Sequence, residues 1–335
     1  MSKRTLWLVA PASALMVTLS GCGGGGGGGG VSTIPSPSPP PPPAPAPPPP
    51  PPPPTDPVSI FANPSVGEFA SMGTSALGSD TVNLNTPLGA ISAADGDQLR
   101  IRYMADGSYQ VEFPGGPVRG FTWHPLSLYG QGTAPTVLTD ETRDLILSLS
   151  GSKDHGYQYS ELGSWVWIGN DFDNLDMIGA DAFGTLTPNG AVPIAGSASY
   201  SGIIAGKSDV IASDSFDGPN RANVSGTVDL NFNFAAGSLA GAMTVNLSDF
   251  SGDSLPLGSF NFKDTVYSTG STSYSGKFDS TAAGDNFFLG KFTGPNAEET
   301  IGAWALPFVL NTGNATITAD HQAHQAFGAW IAKKP

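Results

Sequence analysis

Across its 335 residues the chain carries 28 acidic side chains against 14 Lys and Arg, a formal charge of −14. Such a chain repels the phosphates of nucleic acid and of anionic lipid, so a nucleic-acid partner is excluded. Only 13% of residues are charged while 44 are Gly, a composition that suits a turn-rich, all-β extracellular protein and counts against a helical cytosolic enzyme.

The N-terminal stretch "MSKRTLWLVAPASALMVTLSGC" has a basic start at Lys3 and Arg4, an apolar run from Leu6 to Leu19 and small residues before a cysteine. This predicts a secretory leader over 1–21, too short and too interrupted by Pro11 to span a bilayer. "LSGC" is similar to the lipobox of bacterial lipoproteins, which makes Cys22 the expected lipidated residue and the lipid anchor the expected route to the membrane. Cys22 is the only cysteine, so no internal disulfide can form. Gly23 stands where an aspartate would signal inner-membrane retention, and the expected address is therefore the outer membrane. Loss of Lys3 and Arg4 with the leader moves the formal charge from −14 to −16.

Residues 23–30 are all Gly, and residues 35–54 are nearly all Pro. A flexible coil is thus joined to a polyproline II segment, which at about 3.1 Å per residue gives a semi-rigid stalk on the order of 60 Å long. The stalk over 22–57 reads as a spacer, with a proline-rich ligand the lesser alternative.

From residue 58 the composition becomes globular. "RIRYMADGSYQVEF" (100–113) reads as a hairpin turning at Asp106-Gly107. "TDETRDLILSL" (139–149) is the one helical candidate, with Thr139 or Asp140 as its cap. "GSWVWIG" (163–169) reads as a strand with Trp165 and Trp167 on one face, a core face before a ligand platform. Eight strand-like runs then follow, at 196–204, 224–234, 238–247, 257–263, 272–278, 285–292, 301–308 and 325–332. Their period-two alternation is plainest at Val228, Leu230, Phe232 and Phe234. Eight short antiparallel strands close most naturally into a small barrel filled by its own side chains. The predicted fold is therefore all-β, with a small β-rich domain over 58–190 preceding an eight-stranded barrel over 191–335.

Candidate chemistry is sparse. His321 and His324 have the i, i+3 spacing of a helical metal pair, yet "QAFGAWIA" beside them alternates as a strand, so a solvated loop is expected. "DFDNLD" (171–176) departs from the calcium-loop pattern because Leu175 occupies a ligand position, leaving a looser site from Asp171, Asp173 and Asp176 against an acidic turn. "GDSL" (252–255) matches a serine esterase signature through Ser254. It lies between strand-like runs, however, and Asp320 and His324 are four apart where that family's Asp-x-x-His needs three. Glu298 and Glu299 are neighbours in an extended segment, so their side chains point to opposite faces and cannot act as an acid/base pair. With Gly294, Pro295 and Asn296 before them they read as a turn lock, in which Pro295 fixes φ, Asn296 tolerates the left-handed region and a carboxylate just after accepts backbone N–H groups of a neighbouring loop.

With Cys22, the barrel pattern and "GKFTGPNAEETIGAW" in place, the chain resembles the transferrin-binding-protein-B-like family of bacterial surface lipoproteins. Gly290, Phe292, Gly294, Pro295, Ala297, Glu298 and Gly302 carry the match. "GSASYSGIIAG", "VSGTVDLNFNFAAGSLAGAM" and the terminal "FGAW" are similar to barrel strands of that family. The resemblance implies a handle domain before the barrel, a cell-surface position, no enzymatic activity, no cofactor and capture of a protein partner, such as an iron- or haem-carrying protein. The chain has room for one handle-barrel lobe where transferrin-binding members have two. Aromatics around "RGFTWHPLSLYGQ" (119–131) are the candidate contact patch, with a buried loop the equal alternative.

Overall fold

In the computed structural model, residues 65–78, 84, 87–93, 99–112, 124–128, 136–140, 145–149, 155–168, 176–214, 218–249 and 252–335 are described. The leader, Cys22, the Gly and Pro runs, Asp171 and Asp173, and residues 119–123 and 129–131 lie outside them.

Every named element is a β-strand. The first nine are β1 (Gly67–Glu68), β2 (Ala70–Leu77), β3 (Arg100–Tyr103), β4 (Tyr109–Glu112), β5 (His124–Leu128), β6 (Thr136–Asp140), β7 (Leu145–Leu149), β8 (Ser160–Trp167) and β9 (Met177–Gly184). They form one antiparallel sheet in the order β1-β3-β4-β5-β6-β7-β8-β9-β2. A single residue, Phe69, separates β1 from β2, although the two strands sit at opposite ends of that order. One segment therefore pairs with β3 through its start and with β9 through its remainder, and the sheet turns back on itself. Phe69, Ile101, Val111, Leu147 and Trp165 fill the space it encloses.

The expected helix over 139–149 is not formed. Thr139 and Asp140 end β6, and Leu145, Leu147 and Leu149 alternate as the buried positions of β7. Three leucines at period two bury a sheet face, which outweighs the capping cue before them. The expected hairpin forms over the described residues 100–112, with Gly107 at φ +88° in its turn. Trp165 and Trp167 both face the core.

The second sheet contains β10 (Ser197–Asp214), β11 (Gly218–Asn233), β12 (Ser238–Ser248), β13 (Ser254–Val266), β14 (Ser273–Phe278), β15 (Phe287–Thr293), β16 (Glu299–Val309) and β17 (Ala323–Lys333). It is a closed antiparallel barrel, because β10 pairs with both β11 and β17. Closure leaves no unpaired edge. Each of the eight expected runs overlaps one of these strands to within two residues at its ends, though β10 and β13 extend well beyond them. The interior is packed with rings: Phe232 lies 4.8 Å from Phe292 and 5.0 Å from Tyr274, and Phe262 lies 4.3 Å from Phe288. A small barrel of eight strands has room for its side chains and little else.

Inside the first sheet, the Asp181 carboxylate is wholly enclosed and accepts bonds from the Trp165 indole N–H at 2.6 Å and the Ser71 hydroxyl at 2.9 Å. Burial disfavours its charge and lifts its pKa to about 7, against the pull of those donors. A raised carboxylate pKa stabilises the fold at low pH and loses that contribution as pH climbs from the ordinary value near 4 through 7, in all roughly 4 kcal/mol. Urea unfolding at pH 5 and pH 8 should show wild type weaker at pH 8, with Asp181→Asn removing about 2–3 kcal/mol of that difference whatever its own stability. Equal pH slopes in the two proteins would refute the assignment.

Candidate functional site

The two sheets meet face to face. On the first, Met72, Leu162, Ala180 and Ala182 point away from the enclosed core, and they pack on Ile301, Ala303, Ala329 and Ile331 from the outer face of the barrel. A second cluster, Ala76 and Ile178 with Ala305 and Phe327, extends the contact. Short side chains let the backbones approach closely, and β16 is consequently buried on both faces from Glu299 to Phe308. From Ile301 to Phe308 it reads as an unbroken apolar run because it has no solvent side.

Polar bonds fix the register of the two sheets. The Thr74 hydroxyl donates to the Gly328 carbonyl at 2.9 Å, and the Tyr157 hydroxyl donates to the Ile331 carbonyl at 3.2 Å. Ser160 and Thr293 share a buried hydroxyl bond of 2.8 Å. The chain crosses from sheet to barrel here: the Gly294 N–H donates to the Thr185 carbonyl at 2.9 Å, and Thr187 N–H donates to the Phe292 carbonyl at 2.9 Å.

The segment singled out in the sequence lies in this junction. Residues 294–297 form the turn between β15 and β16. The left-handed residues are Gly294 at φ +83° and Ala297 at φ +57°, and Asn296 is not among them. Ala297 is fully buried, and its carbonyl accepts the Tyr200 hydroxyl at 2.6 Å inside the barrel. That bond and the burial hold a non-glycine residue in a conformation it would otherwise avoid. Gly290 and Gly302 lie against the rings of Tyr274 and Trp330, leaving no space for a side chain. Phe292 belongs to the aromatic core, and Pro295 is exposed.

The two glutamates divide the work. Glu298 stays local, accepting the Asn296 N–H at 2.8 Å and the Asn296 side-chain amide at 2.9 Å. Glu299 is the carboxylate that reaches a neighbouring segment: its oxygens accept the backbone N–H groups of Gln158 at 2.6 Å and Tyr159 at 3.0 Å. It is 3% exposed, and burial raises its pKa against the pull of the Gln158 N–H, Ser160, the Tyr159 N–H and the Lys333 charge. Of the two carboxylates, the one that locks the turn to a neighbouring segment is thus Glu299, a distinction that only the approach of β8 could reveal.

The remaining candidates are dispersed, with one exception. Ser254 opens β13, exposed and paired with Ser248. Asp176 is buried immediately before β9. His124 and Leu126 of the expected contact patch lie in β5, between β4 and β6. Among the described residues, no group of three or more His, Cys, Asp or Glu is placed to hold a metal ion. The exception is His324, which is drawn in from the expected solvated loop to bond Asp209 at 3.0 Å and Asp320 at 2.9 Å. It borders a cavity of about 300 Å³ whose other wall is Leu84, Pro87, Leu88 and Ile91. No sequence spacing joins Asp209 to His324, since β10 and β17 meet only through barrel closure.

If Glu299 carries the junction, Glu299→Ala leaves two backbone N–H groups without an acceptor and should cost about 3 kcal/mol in urea unfolding. Glu298→Ala, losing bonds to one exposed neighbour, should cost under about 1 kcal/mol. A larger loss for Glu298→Ala would reverse the roles.

No family model matches the chain, and no curated protein matches it. Several solved structures are similar to it. A double mutant of the vaccine antigen transferrin-binding protein B from Haemophilus parasuis is 15% identical, over 79% of this chain and 44% of its own, with a TM-score of 0.41. A mutant of the same antigen from Actinobacillus pleuropneumoniae is 12% identical over 79% of this chain and 100% of its own, with a TM-score of 0.35. A protein described as a surface lipoprotein is 13% identical over 79% of this chain and 99% of its own, with a TM-score of 0.34. The chain spans less than half the length of the first of these.

Proposed function

We propose that the chain is a lipid-anchored lipoprotein of the outer membrane, displayed on the cell surface, whose rigid β-body binds a protein partner without catalysing a reaction. The observation that carries this reading is the polarity of the barrel. Its interior is aromatic and filled, whereas Ser199, Ser201, Thr227, Asp229, Asn231, Thr244, Asn261 and Lys263 are exposed on its outer face. A barrel embedded in lipid needs an apolar outward belt, and this one faces water. A water-facing barrel requires a separate attachment to the membrane, which Cys22 supplies, and a spacer, which 23–57 supplies.

In this reading 1–21 is the leader, 58–190 the handle and 191–335 the barrel. The rigid junction argues for recognition by a preformed surface rather than by closure of one part on the other. An iron- or haem-carrying protein is the partner class proposed, with its cargo passed on to a transporter.

Cys22→Ser should move the protein from the membrane fraction to the soluble one, and protease added to intact cells should remove the anchored wild type. Continued integral behaviour of Cys22→Ser would favour instead a barrel embedded in the membrane. The full-length Cys22→Ser chain, immobilised and exposed to host serum under iron limitation, should retain an iron- or haem-carrying protein. Retention of a polysaccharide alone would favour an adhesive role.

A further inference from the structure

The connection between β16 and β17, residues 310–322, folds over one end of the barrel. Leu310 and Ile317 are almost fully buried and join the aromatic core, so this connection plugs the barrel end. Its backbone is tied down by Ser213 N–H donating to the Thr316 carbonyl at 2.8 Å and by paired bonds between Leu310 and the segment 321–322.

One side chain joins this plug to the wall. The His324 Nδ1 lies 3.0 Å from Asp209 Oδ1 on β10, and its Nε2 lies 2.9 Å from Asp320 Oδ2 and 3.1 Å from Asp320 Oδ1 on the plug. Ionised carboxylates accept and cannot donate. An imidazole between two of them satisfies both only when both ring nitrogens carry protons; the neutral ring would turn a lone pair toward one carboxylate. The geometry therefore demands the imidazolium. The neighbours preserve this charge pattern: Asp209 also accepts the Gln325 N–H at 3.0 Å, and Asp320 accepts the Gln322 N–H at 2.9 Å. The other charged or titratable groups bordering His324 are Arg221, whose guanidinium donates to the Asp209 carbonyl at 3.4 Å, Asp285 across the cavity and the exposed His321. The Phe308 ring lies 5.8 Å away, and the cavity wall at Leu84–Ile91 adds only apolar side chains among the described residues.

We propose that Asp209, His324 and Asp320 form a proton-dependent latch that holds the 310–322 plug across the barrel end and loosens it when the His324 ring loses a proton. The bond to Asp209 is the largest influence raising the ring's pKa above its ordinary value, with Asp320 adding to it and burial opposing. A group raised in this way stabilises the fold fully below the ordinary histidine value near 6.5, and that contribution disappears as pH rises through the folded value. Asp320 is lowered, chiefly by the Gln322 N–H, so its side of the latch stays charged until well into acid. The latch is closed between these limits and opens on the alkaline side.

The test is amide hydrogen exchange on the full-length Cys22→Ser chain, read as protection factors at pH 6 and pH 9 corrected for intrinsic rates. Protection at Leu310, Asn314 and His321 should fall at least tenfold at pH 9, while Phe234, at the opposite barrel end, serves as the reference for any global change. Asp320→Asn should show the low protection of the 310–322 segment already at pH 6 and little further change. Should that variant fold poorly, nuclear magnetic resonance titration of the wild-type His324 ring decides the matter without it. Plug protection that tracks Phe234 at both pH values, or a His324 ring that titrates at or below about 6.5, would overturn the latch.

Discussion

The structure depends on one contact, the burial of the outer face of β16 and β17 beneath β2, β8 and β9. A barrel of eight strands normally offers an apolar inside and a polar outside, and β11 follows that rule from Val224 to Asn233. β16 cannot, because Trp304, Leu306 and Phe308 fill the barrel while Ile301, Ala303 and Ala305 meet the first sheet. Two cores are thereby welded through one strand. Burying each large side chain contributes about 1.5–3 kcal/mol relative to exposure, and here two faces of the same backbone contribute at once.

Such a junction leaves little tolerance for unpaired polar groups. Its hydroxyls are paired across the sheets at Thr74, Tyr157, Ser160 and Thr293, and Glu299 satisfies two N–H groups with one carboxylate. The cost of confining that charge appears as its raised pKa, and Asp181 bears a similar penalty inside the first sheet. His324 differs, since two carboxylates reward its charge by more than burial opposes it. The first two groups and His324 alike lend more stability in mild acid than in alkali.

Strands with one wet face were legible in the sequence. The alternation Val228, Leu230, Phe232, Phe234 placed β11, and the strand-like run 238–247 placed β12. The upper ends of β10 and β11 were not legible, because Lys207, Ser208, Asn220 and Arg221 are buried there and a hydrophobic pattern cannot register buried polar residues. The strand β7 was obscured by a capping cue that its own leucines override. The junction turn was recognised as structural, yet the choice between Glu298 and Glu299 needed the position of Gln158 and Tyr159, more than a hundred residues earlier in the chain. His324 stood out only as half of a histidine pair, and its true partner Asp209 is brought to it by barrel closure.

The central claim is that the two sheets unfold as one cooperative unit because they share β16 and β17. Pulse-labelling hydrogen exchange across a urea series, read on peptides of the full chain, tests it directly. Peptides covering β8 and β9 and peptides covering β16 and β17 should lose protection at the same urea concentration. Loss of protection in β8 and β9 at a lower concentration, with β16 and β17 still protected, would contradict the account.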